Sequence, residues 1–324
     1  MLNIHDPIPS SPFAVDAKPL DQAKFVNPLR TADGSPRAQV AMGQLDTLWI
    51  NTGTLCNLTC ATCYIESSPR NDALVYISLA ETEVFLAEAE AMGAREIGFT
   101  GGEPFMNPEI VAMLASALRR GFDVLVLTNA MRPMRRFEAE LLDLQTLPGD
   151  QLTIRVSLDH YSQPIHEAER GIGSWVKAID GCRWLSDNDF RLAIAGRHLG
   201  DEKDGAARRG YAALFTDHGL TVDAFDPAAL VLFPEMDATA DIAEISESCW
   251  DILDVAPASI MCAKSRMVVK RKGAESAVVT ACTLIAYDEQ FTLGSTLAEA
   301  SKPVMLNHPH CARFCVLGGA SCSA

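Results

Sequence analysis

The sequence predicts an α/β fold: a partial (β/α)6 TIM-like barrel followed by a small C-terminal β-hairpin and a cysteine-rich module. From residue 46 onward, short apolar runs rich in Val, Ile and Leu alternate with helical segments, which is typical of a parallel sheet covered by helices. After about residue 235 this alternation stops, and a hairpin pattern and a loop-rich tail follow. The runs predicted to be strands are 46–52, 95–100, 122–128, 152–158, 190–196 and 220–225.

The helices between these strands have recognisable ends. Ser78 and Glu81 have the spacing of a capping box, and Gly93 is suited to end the helix that they begin. Asn107 followed by Pro108 marks the start of the next helix. With right-handed crossovers, six such strand–helix units predict a sheet that curves into a partial barrel.

Three regions are expected along the chain. Residues 1–44 contain many prolines and little periodicity, so we expect an irregular arm that wraps the main body or is partly mobile. The barrel is expected over 45–235 and the cysteine-rich module over 236–324, with hairpin strands near 265–271 and 277–283. Because this last region has few apolar residues, we expect it to fold around something that its cysteines hold.

Composition and charge restrict the possible partners. The 324 residues carry 27 Lys plus Arg against 42 Asp plus Glu, a net charge of −15, which argues against nucleic acid as a partner. No apolar run approaches the roughly 20 residues that span a bilayer, and the first residues lack a secretion signal. We therefore expect a cytoplasmic protein that does not bind membranes.

Three cysteines follow the first predicted strand in the string CNLTCATCY. Cys56, Cys60 and Cys63 lie on a loop at the C-terminal edge of the sheet, where α/β folds place their chemistry. Three thiolates can hold three irons of a cubane cluster and leave the fourth open, which is the usual sign of a reactive metal site. A zinc site with a fourth ligand elsewhere is the alternative.

The combination of this triplet with a second motif resembles the radical S-adenosylmethionine (radical SAM) superfamily. Tyr64 follows the third cysteine as in many members, and FTGGEPFMNPE, about forty residues later, matches the family's GGEP segment. The resemblance covers roughly residues 46–235. Thr62 departs from the pattern, because many members have an aromatic or another bulkier side chain there.

The resemblance implies a cofactor and the residues that bind it. In relatives, the methionyl group of SAM chelates the open iron of a [4Fe–4S] cluster, and reductive cleavage yields a 5′-deoxyadenosyl radical that abstracts hydrogen from substrate. Gly101 and Gly102 would let the backbone approach the methionyl group, and Glu103 would bind its ammonium. Further positions carried over as cofactor-binding or as facing the substrate are Tyr64, Asn129, Ser157, Asp159, His160, Tyr161 and Arg197.

A second group of cysteines lies near the C-terminus. The group resembles the SPASM and twitch extensions of radical SAM enzymes, and its size favours one auxiliary [4Fe–4S] cluster with one cysteine to spare. A structural zinc knuckle is the alternative. Cys182 is expected to be a small buried apolar residue, and Cys249 could be either such a residue or a metal ligand. The expected auxiliary ligands come from Cys262, Cys282, Cys311, Cys315 and Cys322.

These observations predict a radical SAM enzyme acting on a small molecule or a short peptide, because the 44-residue arm is too short and irregular for a leader-binding domain. A reducing partner such as flavodoxin or ferredoxin is expected. The alternative class is a non-catalytic iron–sulfur carrier or scaffold, which would have closed four-thiolate sites and no nucleotide pocket.

Overall fold

A mostly parallel sheet of nine strands forms the centre of the part of the chain that the structure describes. The computed structural model describes residues 11–13, 17–147, 151–199, 202–234 and 237–321. The strands are β1 (Gln39–Val40), β2 (Thr47–Asn51), β3 (Glu96–Thr100), β4 (Asp123–Thr128), β5 (Leu152–Ser157), β6 (Arg191–Arg197), β7 (Leu230–Phe233), β8 (Ser265–Val269), β9 (Val278–Thr280), β10 (Thr292–Gly294) and β11 (Val304–Met305).

The strand order is β10-β9-β8-β2-β3-β4-β5-β6-β7. Every pair from β2 to β7 is parallel, as the alternating sequence pattern predicts. The strands β10 and β7 are the two ends of this order, so the sheet is open and the prediction of a partial barrel is confirmed. Short β1 and β11 pair with each other in a separate antiparallel ribbon, which joins residues of the N-terminal arm to the C-terminal region.

Helices cover the sheet between its strands. Ser78 and Glu81 form both bonds of the predicted capping box, and the backbone of Gly93 adopts a positive φ of 75° just after the helix they begin. None of the described helices has the length and apolar character needed to cross a bilayer. The helices are α1 (Leu79–Ala91), α2 (Ile110–Arg119), α3 (Arg132–Arg135), α4 (Glu138–Gln145), α5 (Gln163–Arg170), α6 (Ser174–Asp187), α7 (Asp204–His218) and α8 (Cys249–Leu253).

The sixth strand of the barrel does not lie where the sequence predicts it. Residues 220–225 form a loop, and the strand that pairs with β6 is β7, several residues later. Asp223 and Asp226 accept hydrogen bonds from the backbone two residues ahead, which favours turns here over an extended strand. The apolar run that follows these turns then enters the sheet.

The predicted C-terminal hairpin is present as β8 and β9, and it continues the main sheet. β8 pairs with β2 in parallel, from Thr47–Ser265 to Ile50–Val268. Buried apolar side chains of this region, such as Met267 and Leu297, belong to the same hydrophobic cluster as the barrel core. The hairpin is therefore held by the barrel rather than by a core of its own.

Candidate active site

The C-terminal ends of the parallel strands converge on one cavity of about 1170 Å³, a volume that includes its open mouth. Parallel strands place their carboxyl ends at the same edge, so loops that are far apart in sequence meet there. The residues that line the cavity are Cys56, Cys60, Thr62, Cys63, Tyr64, Ile65, Ser67, Thr100, Gly101, Gly102, Leu127, Thr128, Asn129, Arg155, Ser157, Asp159, Glu169, Arg170, Ala195, Arg197, Phe233, Leu284 and Phe314.

All three cysteines of the first motif line this cavity. Backbone N–H groups of Leu58 and Ser67 donate to the sulfurs of Cys56 (3.4 Å) and Cys63 (3.3 Å), which fixes the loop around the thiols. Burial raises the pKa of Cys56 to about 11 and that of Cys60 to about 12, so both are neutral thiols without a metal. Coordination to a metal deprotonates such a thiol outright. Three soft sulfur donors facing a cavity fit an iron–sulfur cluster with one open iron.

The glycine pair locks the turn after β3 onto the cysteine loop. Gly102 donates its N–H to the Gly53 carbonyl (2.8 Å), and Glu103 donates to the Leu55 carbonyl (3.1 Å). A Cβ on Gly101 would lie 2.5 Å from the Gly53 oxygen, and one on Gly102 would lie 2.3 Å from the Leu55 oxygen. Both glycines are therefore required by the contact between two protein loops, a reason that the sequence did not reveal.

Glu103 lies behind the cavity wall and does not line it. Its Oε1 accepts from the Phe105 N–H (3.2 Å) and the Thr128 hydroxyl (2.8 Å), and its Oε2 accepts from the Asn129 N–H (2.9 Å). Burial raises the pKa of Glu103 to about 7, against the hydrogen bonds that lower it. In this arrangement the carboxylate joins the turn after β3 to the end of β4.

The other residues expected to bind the cofactor lie on the cavity surface. Asn129 donates from its side chain to the Asn57 oxygen (2.9 Å), which ties the end of β4 to the cysteine loop. Ser157 ends β5 and is half-buried, and Tyr64 faces the same space from the end of the cysteine loop. The structure thus brings together every cofactor-binding residue expected from the sequence except Glu103.

Two ion pairs line the cavity, and the sequence pointed to only one residue of each pair. Arg170 lines the cavity and binds Asp159 through Nε (2.5 Å) and Nη2 (3.1 Å). Burial, the largest single influence, would raise the pKa of Asp159, but the charge and hydrogen bonds of Arg170 together with the charges of Arg197 and His166 outweigh it and lower the pKa. His160, beside Asp159, is buried away from the cavity, and its Nδ1 accepts the Ser162 N–H (3.0 Å). We assign His160 a local structural contact.

Glu169 holds the cysteine loop through Thr62, the residue at which the motif departs from the family pattern. Oε1 of Glu169 accepts from both the N–H (2.8 Å) and the hydroxyl (2.5 Å) of Thr62. Arg197, at the end of β6, contacts the same carboxylate at 3.2 Å and also donates to the Thr62 hydroxyl. The hydroxyl of Ser11 in the arm binds the other oxygen, Oε2 (2.8 Å). No motif in the sequence distinguishes Glu169.

A second cavity gathers four of the five C-terminal cysteines. Cys262 precedes β8, Cys282 follows β9, and Cys311 and Cys315 lie in a π-helix (Cys311–Val316). Cys322 lies outside the described residues. Burial raises the pKa of Cys262 to about 11 and that of Cys311 well above its usual range. The cavity is lined by Ile260, Met261, Cys262, Ala281, Cys282, Leu284, Ile285, Val304, Leu306, His310, Cys311 and Cys315.

The two cavities share a wall. Leu284 lines both of them, and Phe314 lines the first cavity although its π-helix neighbours Cys311 and Cys315 line the second. The Phe314 ring packs on Phe233, at the end of β7, with ring centroids 5.5 Å apart. The C-terminal region therefore closes one side of the barrel cavity.

The remaining cysteines are placed as follows. Cys182 is fully buried in α6, as expected, and half-buried Cys249 contacts the Ser246 hydroxyl at 3.4 Å and lines neither cavity. All nine described cysteines are free of disulfides. Across the described ranges, no three His, Cys, Asp or Glu side chains are already arranged to hold a single metal ion.

Comparisons with known proteins identify the domain. Residues 50–203 match the radical SAM superfamily. The antilisterial bacteriocin subtilosin biosynthesis protein AlbA of Bacillus subtilis (strain 168) is 33% identical over 144 residues, 43% of this chain and 30% of AlbA. The GTP 3′,8-cyclase of Chlorobaculum tepidum is 30% identical over 129 residues, 37% of this chain and 38% of that enzyme. The matched segments thus span less than half of the length of these relatives.

A solved structure has the same fold. The crystal structure of Streptococcus suis SuiB bound to S-adenosylmethionine superposes with a TM-score of 0.57 at 12% identity, covering 78% of this chain and 64% of the SuiB chain. SuiB has also been solved bound to the precursor peptide SuiA. The cysteine triplet, the GGEP turn, the open parallel sheet and the family match agree, and residues 50–203 form a radical SAM domain.

Proposed function

We propose that this chain is a radical SAM enzyme in which Cys56, Cys60 and Cys63 hold a [4Fe–4S] cluster whose open iron binds SAM. The observation that carries this proposal is that the three thiols and the ends of β3 to β6 face one cavity. When bound and reduced, such a cluster supplies the electron that cleaves a carbon–sulfur bond of SAM, giving a 5′-deoxyadenosyl radical that takes a hydrogen atom from substrate. The protein's part is to bind and orient the reactants.

The cavity residues divide this task among the strand ends. The backbone at Gly101 and Gly102 shapes the wall beside the thiols, and Asn129 and Ser157 face the space where a ribose would lie. Tyr64 closes the side next to Cys63. Glu103, bound to the backbone of Asn129, supports this wall from behind. We propose that its carboxylate turns into the cavity to bind the SAM ammonium when SAM is present.

We further propose one auxiliary [4Fe–4S] cluster held by Cys262, Cys282, Cys311 and Cys315, with Cys322 as the spare. Four thiols on one small cavity, lined otherwise mainly by apolar side chains, suit a closed four-thiolate cluster that transfers electrons or anchors substrate. On this view residues 45–235 form the SAM-binding core and 236–324 the auxiliary module. A zinc ion in the second cavity is the alternative.

The substrate class follows from the relatives and from the cavity. AlbA is named for the biosynthesis of a bacteriocin, and SuiB has been solved with a precursor peptide, so we favour a peptide over a small molecule. The ion pairs Asp159–Arg170 and Glu169–Arg197 offer polar contacts on the substrate side of the cavity. A small reducing protein such as flavodoxin or ferredoxin would supply the electron.

Metal analysis after anaerobic reconstitution tests the proposal. We expect roughly eight irons per chain, four from each cluster, and little zinc. About twelve irons would indicate a second auxiliary cluster, and four irons plus one zinc would indicate a structural zinc site. Reduced protein that holds the first cluster but forms no 5′-deoxyadenosine from SAM would favour a non-catalytic iron–sulfur carrier.

A further inference from the structure

Arg266 is a fully buried arginine in the middle of the auxiliary-cluster region. It lies on β8, and its side chain is 0% exposed. Its Nε donates to the Ala300 carbonyl (2.8 Å) and its Nη2 to the Lys302 carbonyl (3.0 Å). Its Nη1 donates to the carbonyls of Cys262 (2.5 Å) and Ser265 (2.7 Å). Every one of these partners is a neutral backbone group.

This guanidinium has no carboxylate partner within the described part of the chain. The other fully buried arginine of comparable environment, Arg37, binds Glu244 at 2.5 Å, and the cavity arginine Arg170 binds Asp159. A buried charge without a counter-charge is strongly destabilising, because carbonyl dipoles replace only part of the lost hydration. A cation kept in such a place indicates that an anionic group belongs nearby.

The nearest candidates for that anionic group are the cysteines of the second cavity. Arg266 binds the Cys262 carbonyl directly, and Cys262 and Cys282 both line the cavity. β9 ends two residues before Cys282 and pairs with β8 next to Arg266, with Met267 opposite Thr280. No Lys or Arg side chain is among the described residues that line this cavity.

We propose that Arg266 is the counter-charge of the auxiliary cluster and raises its reduction potential. This inference rests on the proposed function, because it requires an anionic cluster held by Cys262, Cys282, Cys311 and Cys315. One-electron reduction adds one negative charge to the cluster, and a fixed buried cation stabilises the reduced form more than the oxidised form. Arg266 is thus a positioning residue that acts through Cys262 and through its charge, without ligating iron.

The test measures the potential of the auxiliary cluster alone. The full chain with Cys56, Cys60 and Cys63 replaced together by Ala retains only the second site, so a redox titration followed by electron paramagnetic resonance reports one cluster. In this background we compare Arg266→Gln with Arg266→Lys. Arg208→Gln is the control, because Arg208 lies on α7 and its carboxylate partner is Asp204.

Arg266→Gln is expected to lower the ratio of reduced to oxidised cluster at a fixed potential at least tenfold, which corresponds to a shift of about 59 mV for one electron. Arg266→Lys and Arg208→Gln are expected to keep the starting potential. If Arg266→Gln fails to incorporate iron, Arg266→Lys must still bind four irons at the starting potential for the inference to stand.

Equal potentials for the Gln variant and its parent would overturn the inference, as would loss of the cluster in both Arg266 variants. The latter result would mean that the guanidinium acts only through its carbonyl contacts. A parent protein without iron in the second site would instead contradict the proposed auxiliary cluster, and the inference with it.

Discussion

The two cysteine-lined cavities differ in their surroundings more than in the thiols that face them. The first has three thiols on one short loop, an open mouth and a wall that includes Arg155, Arg170 and Arg197. The second has four thiols from three separate segments and walls that are mainly apolar, with Arg266 behind them. Because an open coordination position suits reactions and a closed one suits electron transfer or structure, the same ligand type points to two tasks.

The largest expected effect comes from removing the ligands of the first cavity. Replacing Cys56, Cys60 and Cys63 together by Ala should abolish formation of 5′-deoxyadenosine, because no iron would then be left to bind SAM. Iron should fall from roughly eight to four per chain, and the remaining absorption should no longer respond to SAM. Cys182→Ala, at a buried cysteine away from both cavities, should keep all of the iron. Full activity in the triple variant would contradict the assignment of SAM cleavage to the first cavity.

The converse substitution is Cys282→Ala in the second cavity. We expect a loss of about four irons and of substrate turnover, while the first cluster still responds to SAM. Limited proteolysis should cut this variant faster after residue 235, since the region loses what its cysteines hold. A variant that keeps all of its iron would exclude Cys282 as a ligand.

The two cysteine groups and most strands of the sheet could be predicted from the sequence, but the contacts that hold them in place could not. Motif spacing identified both cysteine groups, and alternating apolar runs located five strands within about one residue of their observed bounds. The sixth was misplaced because local turns formed by Asp223 and Asp226 outweigh the apolar pattern of residues 220–225. The parallel pairing of β8 with β2, and the contact of Glu169 with Thr62, join residues more than 100 positions apart and leave no local signal.

Thr62→Val tests whether contacts made by the Thr62 hydroxyl hold the loop of Cys56, Cys60 and Cys63 in the position needed for activity. The hydroxyl lost in this variant binds Glu169 and Arg197, and loss of such outer contacts to a metal site typically lowers metal affinity or activity about 10–100-fold. Thr62→Ser keeps the hydroxyl and should stay close to the parent protein. The measurements are the rate of 5′-deoxyadenosine formation and the iron content. Equal rates for the two variants would show that the Thr62 hydroxyl does not position the cysteine loop through Glu169.

A smaller effect is expected from Glu103→Gln. In this variant the side-chain NH2 would lie against one of the groups that donate to the carboxylate in the parent protein. That hydrogen bond would be lost, and leaving a buried donor without its acceptor destabilises the fold by roughly 1–3 kcal/mol. SAM affinity, measured by calorimetric titration of the reconstituted protein, should fall about tenfold while the iron content is unchanged. Glu109→Gln, at an exposed carboxylate that binds the Leu79 N–H, is the matched control. Unchanged SAM affinity in Glu103→Gln would rule out the proposed contact with the ammonium.

The most direct test of the central claim is product formation by the anaerobically reconstituted and chemically reduced chain. With SAM added and no substrate, we expect slow release of 5′-deoxyadenosine and methionine in equal amounts, detected by liquid chromatography. The cysteine-triplet variant, prepared in the same way, should release none. If the parent chain holds four irons at Cys56, Cys60 and Cys63 and still leaves SAM intact under these conditions, the assignment of the first cavity as a SAM-cleaving site is contradicted.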